Sequence, residues 1–92
     1  MRAKKKDNNH NEIAKYFKSE GMQVSDTSGM GKDFPDMIIH NPFNLKAVFV
    51  EAKSRYGKQT PGQKEWAEKS AIPVFVIKNT LQARFVLDVL KS

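Results

Sequence analysis

The sequence predicts a mixed sheet flanked by helices, of class α/β or α+β, in the order helix, three strands, helix, strand, helix. Three observations predict it. Two short apolar runs, Met37-Ile38-Ile39 and residues 47–50, flank the turn-rich His40-Asn41-Pro42-Phe43-Asn44, as expected of antiparallel neighbours. After the second run, the helix-start signal Thr60-Pro61-Gly62-Gln63 precedes another apolar run, Pro73-Val74-Phe75-Val76-Ile77. A strand, a helix and a further strand imply a right-handed crossover and a parallel pair, so the sheet is mixed. Finally, 92 residues leave room for one domain, 1–92, with one core.

At the N-terminus, Arg2, Lys4, Lys5 and Lys6 stand among almost nothing apolar, which predicts a basic, flexible arm over about residues 1–8. Such a segment is either a solvated tail or a phosphate-contacting arm. A helix follows, with Asn9 or Asn11 as N-cap, Ile13 and Phe17 facing the core and Gly21 ending it. Glu12 falls in its first turn, where the helix dipole favours an acid. Residues 22–25 form a short strand candidate, and residues 26–32 have the Ser, Thr and Gly content of a mobile loop. The Gly29-Met30-Gly31-Lys32 stretch in it is no P-loop, because no Ser or Thr follows Lys32.

Thr60, Pro61 and Gln63 occupy the N-cap, N1 and N3 positions of a capping box. The helix they open should run to about Ser70, with Trp66 and Ala67 on the sheet and Lys64, Glu65 and Lys69 exposed. The run at residues 73–77 suits a buried strand, and residues 80–90 a closing helix with Leu81, Phe85, Val89 and Val86 inward. Met22, Phe43 and Leu45, near turns or on a possible sheet edge, are either ordinary core or candidates for contact between subunits.

Composition narrows the function classes. Without cysteine, disulfides and thiolate-rich zinc sites are excluded, and His10 and His40 are too few and too far apart for another zinc site. No apolar run approaches the roughly 20 residues of a membrane span, and no signal-peptide core is present, which predicts a soluble, cytoplasmic protein. Sixteen Lys and Arg against ten Asp and Glu give a formal charge of +6, which favours polyanionic partners.

The acids are not scattered. Asp36 directly precedes the first apolar run and Glu51 directly follows the second, so antiparallel pairing brings them opposite each other. Strand alternation then sends Glu51 and Lys53 to one side and Ala52 to the other. Taken singly, each of these residues is surface chemistry more often than catalysis. Together they concentrate charge at one point, which costs stability unless a cation is bound. Two carboxylates and the Ala52 carbonyl are hard oxygen ligands suited to Mg²⁺ or Mn²⁺, and such a site suits phosphodiester hydrolysis. Lys53 beside it can orient water and stabilise negative charge. The basic groups Lys32, Arg55 and Lys58, with the aromatic Tyr56, adjoin the acids and suit a nucleic-acid strand, although a solvated turn has the same composition.

Pro35-Asp36, fourteen intervening residues and Glu51-Ala52-Lys53 resemble the PD-(D/E)XK nuclease motif, with elements in that superfamily's order. The continuation, a short basic loop with Gly57 and then Thr60-Pro61-Gly62-Gln63-Lys64-Glu65-Trp66, resembles the VRR-NUC nucleases, which carry a Gln on the helix after the motif strand. Glu12 sits where that family and the related Holliday junction resolvases have an additional acid. The resemblance implies a restriction-endonuclease-like α/β core and a Mg²⁺- or Mn²⁺-dependent DNA endonuclease. It further implies Asp36, Glu51, Lys53 and Gln63 as catalytic residues, and Glu12, Asp36, Glu51 and Ala52 around the metal. The chain lacks the extra domains of larger relatives and looks like the stand-alone phage or bacterial forms. That suggests branched DNA such as a four-way junction as substrate, a homodimer as working unit, and the cytoplasm of a bacterium or infected host. The alternatives are a non-cleaving nucleic-acid-binding module of the same fold and a subunit active only with a partner protein.

Overall fold

Helix α1 (His10–Ser19) begins after Asn9 and buries Ile13 and Phe17, one turn apart on one face. The computed structural model describes residues 9–92, and the basic arm lies outside them. Gly21, at φ 87°, ends the helix: its N–H donates to the Lys18 carbonyl, and the Met22 N–H donates to the Phe17 carbonyl. This is a Schellman motif, in which the second residue past the cap folds back towards the last turn. Met22 thereby enters the core that contains Phe17, so it is not available for contact between subunits.

Four strands form one sheet in the order β1 (Gln23–Asp26), β2 (Met37–His40), β3 (Ala47–Ala52), β4 (Val74–Ile77). The first two pairings are antiparallel and the last is parallel, as the crossover through helix α2 (Pro61–Lys69) requires. Met37, Ile39, Val48, Val50, Ala52 and Ile77 turn to one face, where with Ile13, Phe17 and residues of helix α3 (Thr80–Lys91) they form the core. The alternate positions turn to α2. There Phe34, Phe49 and Trp66 meet in tilted and edge-on contacts, with ring centroids 4.8–5.5 Å apart.

Two expectations are corrected. On α3 the buried side chains are Ala83, Val86, Leu87 and Leu90, while Leu81 and Phe85 are 66% and 70% exposed and Val89 faces largely outward. The helix carries two apolar stripes. The one containing the small Ala83 lies in the core, on the side where α3 meets α1 and β4. The second correction concerns β4, an edge strand rather than a fully buried one; only Ile77 is buried, and Val74, Phe75 and Val76 are half-buried.

The loop after β1 is also more built than its composition suggests. It contains a short 3₁₀ turn (Ser28–Met30), with Asp26 Oδ1 accepting from the Ser28 N–H and hydroxyl. Thr27 reaches across it, its N–H donating to the Asp36 carbonyl at 2.8 Å and its hydroxyl to the Pro35 carbonyl at 2.7 Å. Pro35-Asp36 is therefore held from the β1 side before β2 begins.

Candidate active site

Pairing of Met37 with Val50 places Asp36 and Glu51 one step further along the same ladder, at abutting strand ends. The Asp36 N–H donates to the Val50 carbonyl at 3.1 Å, and the Asp36 carboxylate accepts from the Ala52 N–H at 2.7 Å. Asp36 is thus latched to β3 by backbone on both sides of Glu51. The two acids are 4% and 0% exposed. Carboxylates are seldom so buried, and two close together disfavour each other's charged form.

Glu51, Lys53 and Phe49 share the α2 face, because their neighbours Val48, Val50 and Ala52 belong to the core on the other side. Lys53 Nζ donates to Gln63 Oε1 at 2.9 Å, which joins the strand motif to the start of α2. Gln63 is buried, and its N–H and both polar atoms of its side chain are engaged. Its N–H donates to Thr60 Oγ1, Oε1 also accepts from the Thr60 N–H, and Nε2 donates to the Lys32 carbonyl at 3.3 Å. The capping box and the contact with Lys53 are one structure rather than alternatives. We expect Thr60→Ala to cost about 1 kcal/mol by loss of the cap. Thermal unfolding would register it as a fall of roughly 4–8 °C in midpoint, and an unchanged midpoint would show that the cap does not bear on stability.

Three positioning residues escaped the sequence reading. Gln59 Nε2 donates to Glu51 Oε2 at 3.1 Å. Asp33 lies so close over Gly62 that a Cβ there would stand 2.4 Å from its Oδ1, so any larger residue at 62 would push the Asp33 carboxylate off the α2 N-terminus. Asn9 does not cap α1 with its side chain. Its amide instead donates to the carbonyls of Lys53, at 2.8 Å, and Lys78, at 2.6 Å, fastening the start of α1 to the ends of β3 and β4.

Other expected site residues sit further out. Glu12 is exposed on α1, and among the described residues no three of His, Asp and Glu converge closely enough to hold a metal ion by themselves. Lys32, Arg55, Tyr56 and Lys58 are exposed, with the Arg55 guanidinium 5.4 Å from the centre of the Tyr56 ring. Arg2, Lys4, Lys5 and Lys6 fall outside the described residues. His10 is buried with Nε2 3.9 Å from Asp26 Oδ2, and His40 pairs across β1 with Gln23 at 3.2 Å. Among the described residues, no helix is long and apolar enough to cross a membrane.

A divalent ion can be tested against this donor set. Asp36 and Glu51 offer buried carboxylate oxygens side by side, with no thiolate and no imidazole, which fits a hard cation such as Mg²⁺ or Mn²⁺. Two carboxylates leave most positions of an octahedral ion to other oxygens: the Ala52 carbonyl, water or substrate.

No family model matches the sequence, and no curated protein matches it. A solved structure of a VRR_NUC domain is similar in fold, with a TM-score of 0.66 and 26% identity, over 86% of this chain and 94% of that one.

Proposed function

Starting from a chain whose likeness to a VRR_NUC domain supports its membership of the VRR-NUC nucleases, we propose that it is a divalent-metal-dependent endonuclease that hydrolyses phosphodiester bonds in DNA. One observation carries the proposal: two buried carboxylates, Asp36 and Glu51, stand at abutting strand ends beside a lysine that Gln63 holds in place. A bare binding module has no need of that arrangement. When bound by Asp36, Glu51 and the Ala52 carbonyl, a Mg²⁺ or Mn²⁺ ion would supply an activated water and offset charge on the phosphoryl and leaving oxygens. Glu12, which joins no cluster of acids, is assigned contact through water.

The side chains have separate tasks. Lys53 donates to phosphoryl oxygens as negative charge builds on them, and Gln63 fixes the direction in which its ammonium points. Gln59 and the Ala52 N–H hold Glu51 and Asp36 in orientation. Arg55, Lys58 and Lys32 take backbone phosphates, Tyr56 offers its ring to a base, and the arm with Arg2, Lys4, Lys5 and Lys6 adds further phosphate contacts. Substrate selectivity is for branched DNA such as a four-way junction. Its resolution needs two cuts related by a twofold axis, which a homodimer supplies.

Labelled single-stranded, duplex, flap and four-way DNA, each incubated with Mg²⁺, Mn²⁺, Ca²⁺ or EDTA, tests this directly. Cleavage should occur with Mg²⁺ or Mn²⁺, vanish in EDTA, and be poorly supported by Ca²⁺, whose shell of about 6–8 oxygens is looser. Undiminished cutting in EDTA would refute the site. Equal cutting of junction and linear duplex would remove the junction selectivity and leave the nuclease standing.

A further inference from the structure

The outer face of α3 is unpartnered and strongly apolar. Leu81, Phe85 and Val89 recur at i, i+4 and i+8, exposed by 66%, 70% and 44%. Val89 shares a cleft with Lys46, at the foot of the β2–β3 turn. That turn is itself fastened to the end of α3, because the Asn41 and Asn44 amides both donate to the Leu90 carbonyl. Phe43 and Leu45, 89% and 78% exposed, sit on it. Leu45 holds a φ of 63°, a left-handed conformation that strains any residue with a Cβ and costs glycine little. A large apolar residue is thus displayed to solvent where a smaller one would be cheaper. Monomeric surfaces rarely gather apolar groups in this way.

We infer that this face, centred on Phe85, is where a second copy of the chain packs, through an antiparallel pair of α3 helices. The inference rests on the homodimer proposed above and specifies its surface. Charge selects the occupant. Arg84 and Asp88 line the same groove as Leu81 and Phe85, and among the described residues they form no ion pair with each other. In an antiparallel pair with its twofold axis at Phe85, Leu81 of each copy meets Val89 of the other and the two Phe85 rings meet each other. At about 1.5 Å per residue, Arg84 of one copy then lies only about 3 Å along the axis from Asp88 of the other, and the reciprocal pair forms by symmetry. The two Arg84 side chains stand at the same spacing from each other, so the charges run acid, base, base, acid along the seam, and two opposite-sign contacts outweigh one of like sign. A polyanion, by contrast, would meet Asp88.

Light scattering on the purified chain and three variants tests the surface without reference to cleavage. The wild type should have about twice the 10.5 kDa chain mass at micromolar concentration. Phe85→Glu should halve that mass, as should Arg84→Asp, which sets acid against Asp88 of the other copy. Arg84→Asp combined with Asp88→Arg should restore the doubled mass, because the pairs are re-formed in reverse. These side chains are exposed, and cooperative thermal unfolding of each variant checks that it is folded. A wild type of single-chain mass throughout, or a dimer indifferent to Phe85→Glu, would overturn the inference. Metal-dependent cutting of linear DNA, assayed on the same samples, reports separately on the nuclease. A dimer that never cuts would remove the activity and keep the surface, whereas a monomer that cuts would do the reverse.

Discussion

Lys53→Ala should lower the rate of DNA cleavage by about 10²-fold or more, the scale on which removal of one transition-state donor is felt, while most DNA affinity remains. Lys53 is half-buried next to two buried carboxylates, and its ammonium is aimed by a side chain that is itself locked into the start of α2. The many exposed Lys and Arg residues supply affinity for polyanions, so the loss of one fixed charge should hardly register in a binding isotherm. Single-turnover cleavage beside a binding titration separates the two effects. If Lys53→Ala cut at the wild-type rate, the ammonium would have no part in the chemistry.

A comparable effect is expected at Glu51, with a second readout in stability. Glu51→Gln keeps the size of the side chain and an oxygen to accept from Gln59, but removes one of two adjoining buried carboxylates. Cleavage should fall by about 10²-fold or more, as for loss of a group that stabilises charge in the transition state. Saturating Mn²⁺ should separate the two proteins in stability. An ion present at a hundredfold excess over its Kd stabilises the folded state by about 2.7 kcal/mol, a rise of roughly 10–20 °C for the wild type, and should scarcely move the variant. Midpoints of both proteins that ignore Mn²⁺ would dispose of the metal site.

The order of elements and the meeting of Asp36 with Glu51 were legible in the sequence for a physical reason. Strand alternation and a short connecting turn are local properties, and the two acids lie directly beside the apolar runs that define the strands. What was not legible depends on contacts far apart in the chain. The α3 helix has two apolar stripes of helical period, and only the surfaces of α1 and β4 decide that Ala83, Val86, Leu87 and Leu90 go inward rather than the bulkier Leu81 and Phe85. Asn9 gave a sufficient local account of itself as a helix cap, whereas its amide is committed to carbonyls 44 and 69 residues away. Met22 could be assigned to the core only once Gly21 was seen to fold the chain back at the end of α1.

The shared oxygen of Gln63 bears on what can be inferred from mutational tolerance. A shorter Asn would fall a methylene short of both Thr60 and Lys53, and an apolar residue would strand the Lys32 carbonyl as well. Glutamate would keep the cap and pair its charge with the ammonium of Lys53, so it is the replacement that folding tolerates best, at the loss of the donor to the Lys32 carbonyl. A screen that scored folding alone, with no DNA present, would therefore already reject most substitutions at this position. Invariance at residue 63 in any collection of variants would say nothing by itself about catalysis. At Lys53 it would, because replacing that half-buried side chain leaves the Gln63 cap intact.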